Sequence, residues 1–282
     1  AVCGDVMVWK PSSKTPLTAI AIQKIVNRVM EPLGWSGVMS LLVGSSRDVG
    51  EMLIHDRRVP LVSATGSCHM GRKIGEAVSK RLGRTLLELG GNNGIIVMPD
   101  ADPELVLRAV VFGAVGTTGQ RCTTTRRLFL HKSIAKDITE RLVKSYSQVK
   151  IGDPLDSKTV MGPLVDNNAV NDFVNALEII KKENGEILCG GVKIDKSGFF
   201  VEPTIVKAHK EMEIAREETF APILYLFEFE TLDEAINMHN SVDQGLSSSI
   251  FTRDMQSVEN FLSHAGSDCG IANVNIGTSG AE

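Results

Sequence analysis

Residues 59–91, VPLVSATGSCHMGRKIGEAVSKRLGRTLLELGG, contain the strand–helix–strand pattern that decides the fold. Residues 59–62 are short and apolar, as in a strand buried on both faces, and the turn 64–67 follows them. A helix is predicted from about residue 69 to residue 80, and residues 85–89 form the next strand. Short loops between alternating strands and helices predict a parallel sheet with helices on both of its faces.

The same alternation extends over the rest of the chain. Before residue 59 it predicts a strand at 6–9, a helix at 16–30, a strand at 38–43 and then a helix capped by Asp48. After Gly91 the predicted elements are, in chain order, strand 95–98, helix 103–115, strand 127–131, helices 134–149 and 166–182, strands 186–188 and 204–206, a polar surface turn at 211–216, strand 223–229, helix 232–239, strand 248–251, helix 258–265 and strand 270–276. We therefore predict an α/β fold in two domains, 1–90 and 91–282.

Several predicted strands of the first domain end at residues that could contact a ligand. Lys10, residues 44–46, Gly66 with Ser67, and Glu88 all lie at such ends, where parallel sheets commonly bind their ligands. Lys10 could hold a ribose or phosphate or simply be solvated, and the turn at Gly66 and Ser67 offers backbone N–H groups to a phosphate. Because the chain lacks the motif GxGxxG, a dinucleotide site here would need a different build.

Cys122 is the candidate nucleophile. It lies in the segment GTTGQRCTT, residues 116–124, whose small residues let the backbone approach a ligand closely. Arg121 precedes it, and a cationic neighbour favours the thiolate, which is the reactive form of cysteine. The alternative is that Cys122 is one more small buried apolar residue.

Glu88 is the candidate general base. It follows two leucines and precedes Leu89, and a carboxylate in apolar surroundings is costly unless it is paired or takes up a proton. Such a group suits proton transfer, whereas a strand-end glutamate turned to solvent would have no such role. A base and a nucleophile in one chain favour the functional interpretation of both.

The segment EETFAP, residues 217–222, is compatible with a solvated charge pair ahead of a strand.

Composition excludes several classes of protein. The chain has 282 residues, 43% of them apolar and 23% charged, as expected of a globular protein, and its net charge of −4 argues against nucleic-acid or membrane-surface partners. Five widely spaced cysteines indicate free thiols in a reducing compartment, which we take to be the cytoplasm, or the mitochondrion in a eukaryote. No histidine or cysteine pair has metal-ligand spacing, so we predict no metal.

These segments resemble the aldehyde dehydrogenase superfamily. The most specific matches are, in this order, Leu87-Glu88-Leu89-Gly90-Gly91-Asn92, Gly119-Gln120-Arg121-Cys122 and Glu217-Glu218-Thr219-Phe220-Ala221-Pro222. Finer features are similar to the antiquitin branch, the 2-aminoadipate semialdehyde dehydrogenases. These features include Asn93, Thr123-Thr124, residues 244–251 and residues 273–282.

The resemblance implies a partial Rossmann-like cofactor domain, a following catalytic domain and an NAD-linked oxidation of an aldehyde through a cysteine thioester. Cys122 would be the nucleophile and Glu88 would activate water, while Arg121 would bind a carboxylate of the substrate. The resemblance further implies cofactor contacts at Lys10, Ser13, Gly66, Ser67, Leu89, Glu218 and Phe220, and substrate contacts at Gly277, Thr278 and Ala281. It also implies a homo-oligomer, a homotetramer, for the complete protein.

The chain departs from the family pattern at matched positions. Ser13 replaces an acid that favours NAD, so NAD is expected with NADP left open; Ala64 replaces a usual Phe, and Gly277 replaces a Pro of the antiquitin branch. Ala1 is not a start residue, and the family's oxyanion Asn, bridging strand and C-terminal tail lack counterparts. We therefore expect a fragment, with feeble activity or none in isolation. Two alternatives stay open: a CoA-acylating dehydrogenase, against which Glu88 argues, and a catalytically silent nucleotide-binding or assembly module.

Overall fold

A computed structural model describes residues 3–279, and the chain divides into two compact units, Ala1–Leu89 and Gly90–Glu282. In the first unit, strands β1 (Met7–Trp9) and β2 (Met39–Leu41) form one parallel pair, and β3 (Leu61–Thr65) and β4 (Arg84–Glu88) form another. We expected one continuous sheet here. Within residues 3–89 the two pairs are instead separate, and β1 and β2 are only three residues long, so each offers few backbone groups for a ladder.

Three α-helices belong to the first unit: α1 (Pro16–Met30), α2 (Glu51–His55) and α3 (Cys68–Lys80). The buried core of this unit is small, with Ile74 and Val78 of α3 against Ile54 of α2.

The predicted cap of the second helix is wrong. Ser45, not Asp48, is the N-cap, and its hydroxyl accepts a hydrogen bond from the backbone N–H of Asp48 at 3.1 Å. The turn begins earlier than the apolar pattern indicates, as the π-helical segment Ser46–Gly50, so Asp48 lies inside it.

The second unit is built on a seven-stranded sheet. Its strands are β5 (Asn93–Val97), β6 (Thr125–His131), β7 (Glu186–Cys189), β8 (Thr204–Lys207), β9 (Ile223–Phe229), β10 (Ser247–Phe251) and β11 (Ile271–Val274). Their order across the sheet is β11-β10-β5-β6-β9-β8-β7, and every neighbouring pair is parallel except β7 with β8. The helices are α4 (Pro103–Val115), α5 (Lys132–Tyr146), α6 (Asn167–Lys182), α7 (Leu232–His239) and α8 (Met255–Leu262).

Helices cover both faces of this sheet, as the alternation of strands and helices predicts. Along β5, Ile96 packs on the side of α6, α7 and α8, whereas Ile95 and Val97 pack on the side of α4 and α5. All five residues of β5 are buried, because side chains alternate between two covered faces. The predicted α/β class is therefore confirmed. Within residues 3–279, every helix is too short or too polar to cross a bilayer.

Two element predictions in the second unit need correction. Residues 211–216 are not simply a polar surface turn, because Met212, Ile214 and Ala215 are buried in the core and a short 3-10 helix closes the segment. Helix α8 begins at Met255 rather than at residue 258, since the Asp254 carboxylate caps it by accepting from the backbone N–H of Ser257.

Candidate active site

The segments singled out in the second unit converge at one edge of its sheet. Residues 90–92 precede β5, residues 116–124 precede β6, and residues 217–222 precede β9. Because these strands are parallel, their amino ends lie at the same edge. This edge is opposite to the carboxyl ends of the strands, where ligands of open α/β sheets more often bind.

The approach to Cys122 has an unusual backbone. Thr117, Thr118 and Gly119 have φ angles of 51°, 58° and 69°, so three consecutive residues lie in the left-handed region. Such conformations are costly for threonine and persist only where surrounding contacts enforce them. These left-handed residues follow the end of α4 and change the direction of the chain ahead of Cys122.

Hydrogen bonds from a second loop hold this strained turn in place. The Thr118 hydroxyl donates to the backbone carbonyl of Gly162 at 2.9 Å. Gln120 bonds in both directions, since its amide donates to the carbonyl of Thr117 at 3.1 Å and accepts from the N–H of Val165 at 2.8 Å. These bonds tie the Cys122 loop to residues 162–165.

Asn93 connects three of the loops at this edge. Its side-chain amide donates to the carbonyl oxygens of Cys122 at 2.7 Å and Thr124 at 2.8 Å, and its side-chain oxygen accepts from the N–H of Ser247 at 3.0 Å. A Cβ at the neighbouring Gly91 would lie 2.4 Å from the Cys122 carbonyl, so only glycine permits this approach. The second Asn of the motif thus sets the backbone position of the candidate nucleophile.

Arg126, the second residue of β6, reaches all the motif loops. Its guanidinium is buried and donates to the carbonyls of Gly91 at 3.1 Å, Arg121 at 3.2 Å and Thr219 at 2.6 Å. It also pairs with Glu218 at 3.2 Å. Burial lowers the pKa of Arg126, and the Glu218 carboxylate opposes that shift.

Sequence reasoning missed Arg126 and did not assign Asn93 a role. A signal for Arg126 was present, because Arg126 and Arg127 open a strand that continues with three apolar residues, and buried charges need partners. Arg127 is also buried, and burial lowers its pKa to about 10. Its partners are backbone carbonyls of Asn92, Met238 and His239, which no side-chain pattern reveals.

The thiol of Cys122 is free and half-buried. The Arg121 guanidinium lies over the ring of Phe112, at 5.0 Å from the centroid. Among residues 3–279 it has no carboxylate partner. Its charge is therefore available to an acidic ligand, with one face supported by an aromatic ring.

Glu218 and Phe220 frame the opposite side of the Cys122 segment. Oxygen Oε1 of Glu218 accepts from the N–H of Gly91 at 3.1 Å as well as from Arg126. Phe220 is 46% exposed, and the Arg126 guanidinium lies 5.3 Å from its ring centroid. Arg126 thus contacts both side chains, of which Phe220 is exposed and Glu218 is largely buried.

The loop after β11 is bonded to the Cys122 segment. The hydroxyls of Thr278 and Ser279 both donate to the carbonyl of Thr123, at 2.8 and 2.9 Å. Thr278 and Gly277 are buried, so the proposed substrate role of these two residues stays a prediction. Ala281 lies outside the described residues.

The predicted base Glu88 and the predicted cofactor residues Gly66 and Ser67 lie at the ends of β4 and β3. Glu88 ends β4 and is exposed, and its role as general base stays a prediction. The Glu88 carbonyl accepts from the N–H of Gly66 at 3.0 Å, and the Ser67 hydroxyl caps α3 by accepting from Met70.

The other three predicted residues of this unit differ in exposure. Lys10 is half-buried and donates to the Pro11 carbonyl, Ser13 is exposed, and the Leu89 side chain packs over Gly71. Within residues 3–279, no cluster of three or more His, Cys, Asp or Glu residues could hold a metal ion.

Comparison with known proteins decides the family. The aldehyde dehydrogenase family model matches residues 1–282. The chain belongs to the aldehyde dehydrogenase family. It is 50% identical to a putative aldehyde dehydrogenase family 7 member A1 homolog of Dictyostelium discoideum, covering 100% of this chain and 56% of that protein. It is 48% identical to the alpha-aminoadipic semialdehyde dehydrogenase of Bos taurus, covering 100% and 52%.

Solved structures of this family have the same fold. Lactaldehyde dehydrogenase from Escherichia coli is 34% identical with a TM-score of 0.92, covering 97% of this chain and 57% of that one. Betaine aldehyde dehydrogenase from Staphylococcus aureus, in complex with NAD+, is 30% identical with a TM-score of 0.91, covering 96% and 54%. The chain thus spans about half the length of the relatives that it matches.

Proposed function

We propose that the complete protein containing this chain oxidises an aldehyde to a carboxylic acid, with NAD or NADP accepting the hydride. The observation that carries the proposal is the convergence of three family segments at one edge of the sheet, with the free thiol of Cys122 on a strained and tightly bonded loop. Family membership supports the same reaction.

Cys122 would act as the nucleophile. Its thiolate would attack the aldehyde carbonyl carbon to form a thiohemiacetal, and a nicotinamide cofactor, when bound, would supply the hydride acceptor that oxidation of this adduct to a thioester requires. Water then adds to the thioester, the carbon–sulfur bond breaks, and the acid leaves while the thiolate is restored. The hydrogen bonds of Asn93 to the loop support this role, because they fix the backbone that aims the sulfur.

Glu88 would take the proton of the attacking water. The support for this role is the match of Glu88 to the family segment at residues 87–92, and Glu88 is the last residue of β4. For the cofactor we propose contacts from Lys10, Ser13, Gly66, Ser67 and Leu89, together with Glu218 and Phe220. The Ser67-capped end of the 13-residue helix α3 suits a phosphate, because unpaired N–H groups and the helix dipole favour an anion there.

The substrate would carry a carboxylate, as 2-aminoadipate semialdehyde does. Arg121 supports this assignment, because its guanidinium is held on Phe112 without a carboxylate partner among the described residues. A planar guanidinium binds a carboxylate through two parallel hydrogen bonds. Gly277, Thr278 and Ala281 are proposed to complete the substrate pocket.

Replacing Cys122 tests the reaction. In the complete protein, Cys122→Ala should reduce NAD-dependent oxidation of 2-aminoadipate semialdehyde by at least about a thousandfold, since removal of a covalent nucleophile leaves only binding and electrostatic effects. Cys189→Ala, at another half-buried thiol, is the matched control and should keep activity. Normal turnover by the Cys122 variant would contradict the mechanism.

The same assay separates the alternatives. Free acid formed without CoA supports hydrolysis, and product formed only with CoA would identify an acylating enzyme. A protein that binds NAD but oxidises no aldehyde would instead be a silent module.

Parallel measurements with a neutral aldehyde of the same length test Arg121, because Arg121→Ala should raise KM for the acidic substrate alone.

A further inference from the structure

The guanidinium of Arg126 is the most heavily bonded side chain at this edge of the sheet. It is 2% exposed, and besides Glu218 all of its acceptors are backbone carbonyls. These acceptors belong to three loops and are the carbonyls of Gly91, Gly119, Arg121, Thr219 and Ala221. One buried cation therefore links the loop before β5, the Cys122 loop and the loop before β9.

Arg126 also contacts both side chains that the proposed function assigns to the outer part of the cofactor. It pairs with Glu218 at 3.2 Å and lies over Phe220 at 5.3 Å. Glu218 is anchored through Oε1 alone, and within residues 3–279 its Oε2 accepts no hydrogen bond. That second oxygen lies over Gly90, where a Cβ would come within 1.8 Å of it.

We propose that Arg126 is a positioning residue for cofactor binding: it holds Glu218 by one carboxylate oxygen, so that the other oxygen is presented to a ribose hydroxyl of the dinucleotide, and it holds Phe220 beside it. This inference rests on the proposed function, since it assigns the cofactor to that surface. The glycine at position 90 is part of the arrangement, because any side chain there would displace the presented oxygen.

The chemistry requires arginine at this position. The guanidinium provides five N–H donors in a rigid plane, enough to serve several carbonyls and one carboxylate at once. Lysine keeps the charge but offers three donors on a flexible stem, so Arg126→Lys should release some of these partners. Arg127 is the matched control, because it is equally buried, donates to the carbonyls of Asn92 and Met238, and does not contact Glu218 or Phe220.

The test is a double-mutant cycle in the complete protein between Arg126→Lys and Glu218→Gln. Arg126→Lys should raise KM for NAD about tenfold, the scale of a lost charge-assisted hydrogen bond, and leave KM for the aldehyde within about twofold. In the Glu218→Gln background Arg126→Lys should alter KM for NAD by less than about twofold, because the carboxylate that Arg126 positions is no longer present. Arg127→Lys should lower the unfolding temperature without changing KM for NAD.

Each possible failure has a distinct meaning. If Glu218→Gln alone leaves KM for NAD unchanged, the proposed cofactor role of Glu218 fails. If Glu218→Gln raises KM and Arg126→Lys adds its full effect in that background, Arg126 does not act through Glu218 and the present inference fails.

Gly90→Ala provides a second variant if Arg126→Lys does not fold. It leaves Arg126 intact but displaces Oε2 of Glu218, so it should also raise KM for NAD about tenfold with little effect on KM for the aldehyde. Direct titration of the folded variant with NAD gives the same readout without turnover. Unchanged NAD affinity would overturn the inference.

Discussion

Arg127 and His239 are two buried titratable residues that are in contact at this sheet. Arg127 donates to the His239 carbonyl at 2.9 Å, while the His239 ring is buried with Nε2 3.0 Å from the Ser267 hydroxyl and 3.6 Å from the Cys269 sulfur. Burial, and next the Arg127 charge, lower the pKa of His239 to about 3. The folded chain therefore keeps this imidazole neutral at a pH where an exposed histidine is protonated.

This burial predicts a pH dependence of stability. The unfolded chain takes up a proton on His239 below pH 6.5 and the folded chain only near pH 3, so the stabilisation is complete above pH 6.5 and is lost as the pH falls between these values. From pH 7.5 to pH 5.0 we expect this residue alone to cost roughly 2 kcal/mol.

Urea unfolding of the wild type and His239→Gln at the two pH values measures the effect. The variant should be less stable in absolute terms but should lose roughly 2 kcal/mol less on acidification. His264→Gln, at an exposed histidine, should behave like the wild type. Equal losses in wild type and His239→Gln would show that the buried imidazole does not resist protonation.

Single residues also mark the limit of what the sequence predicts. Cys122 stood out because its neighbours are small and polar, and Glu88 because its neighbours are leucines. The pair Arg126 and Arg127 ahead of an apolar run indicated buried charge, but their acceptors are mostly backbone carbonyls from distant loops. Every residue has a backbone carbonyl, so the sequence does not mark which carbonyls accept hydrogen bonds. The hydrogen bonds between the loops are therefore known only from the folded structure.

At the scale of elements, the turn between α4 and β6 has the longest run of left-handed backbone among residues 90–279. Its three left-handed residues end at Gly119, where a Cβ would lie 2.4 Å from the carbonyl oxygen of Ala221. The turn therefore couples two loops through van der Waals contact as well as through hydrogen bonds. This close approach explains why the segment needs a glycine directly before Gln120.

Gly119→Ala should destabilise the chain by roughly 2–4 kcal/mol, since it combines an unfavourable φ with an overlap against backbone that cannot move freely. It should also lower kcat in the complete protein, because the Cys122 loop must shift. Gly116→Ala is the matched control: its φ is −53° and a Cβ there meets nothing closer than 3.7 Å. Thermal unfolding of both variants provides the comparison, and similar melting temperatures would refute the role assigned to Gly119.

Element boundaries were predictable where local signals were strong. Helices α1, α4 and α7 and strand β9 match their predicted limits, because proline starts, caps and apolar runs mark them clearly. The start of β6 was missed by two residues, Thr125 and Arg126, since polar residues concealed a strand end buried by tertiary contacts. Buried polar residues at the edge of the sheet that carries the candidate site were therefore the hardest to assign to a strand from the sequence.

At the scale of the whole molecule, the two units differ in how much core each contains. The second unit has a seven-stranded sheet with buried clusters on both faces. The first unit has two separate strand pairs, and its only buried cluster in residues 3–89 consists of Ile54, Ile74 and Val78 with partly buried neighbours. Local stability follows the density of buried apolar contacts, so the second unit should be the more stable one.

Paired isoleucine substitutions test whether the units unfold separately. Ile74→Ala in the first core and Ile96→Ala in β5 remove the same side chain from buried positions, and each should cost about 2–4 kcal/mol. Hydrogen exchange of the 282-residue chain, followed by mass spectrometry, should show faster exchange of β3 and β4 than of β5 and β6 in the wild type. Ile74→Ala should accelerate β3 and β4 alone, because the cores of β5 and β6 do not depend on that side chain. If instead it accelerates all four strands equally, the chain unfolds as one cooperative body and the difference in core size has no separate thermodynamic consequence.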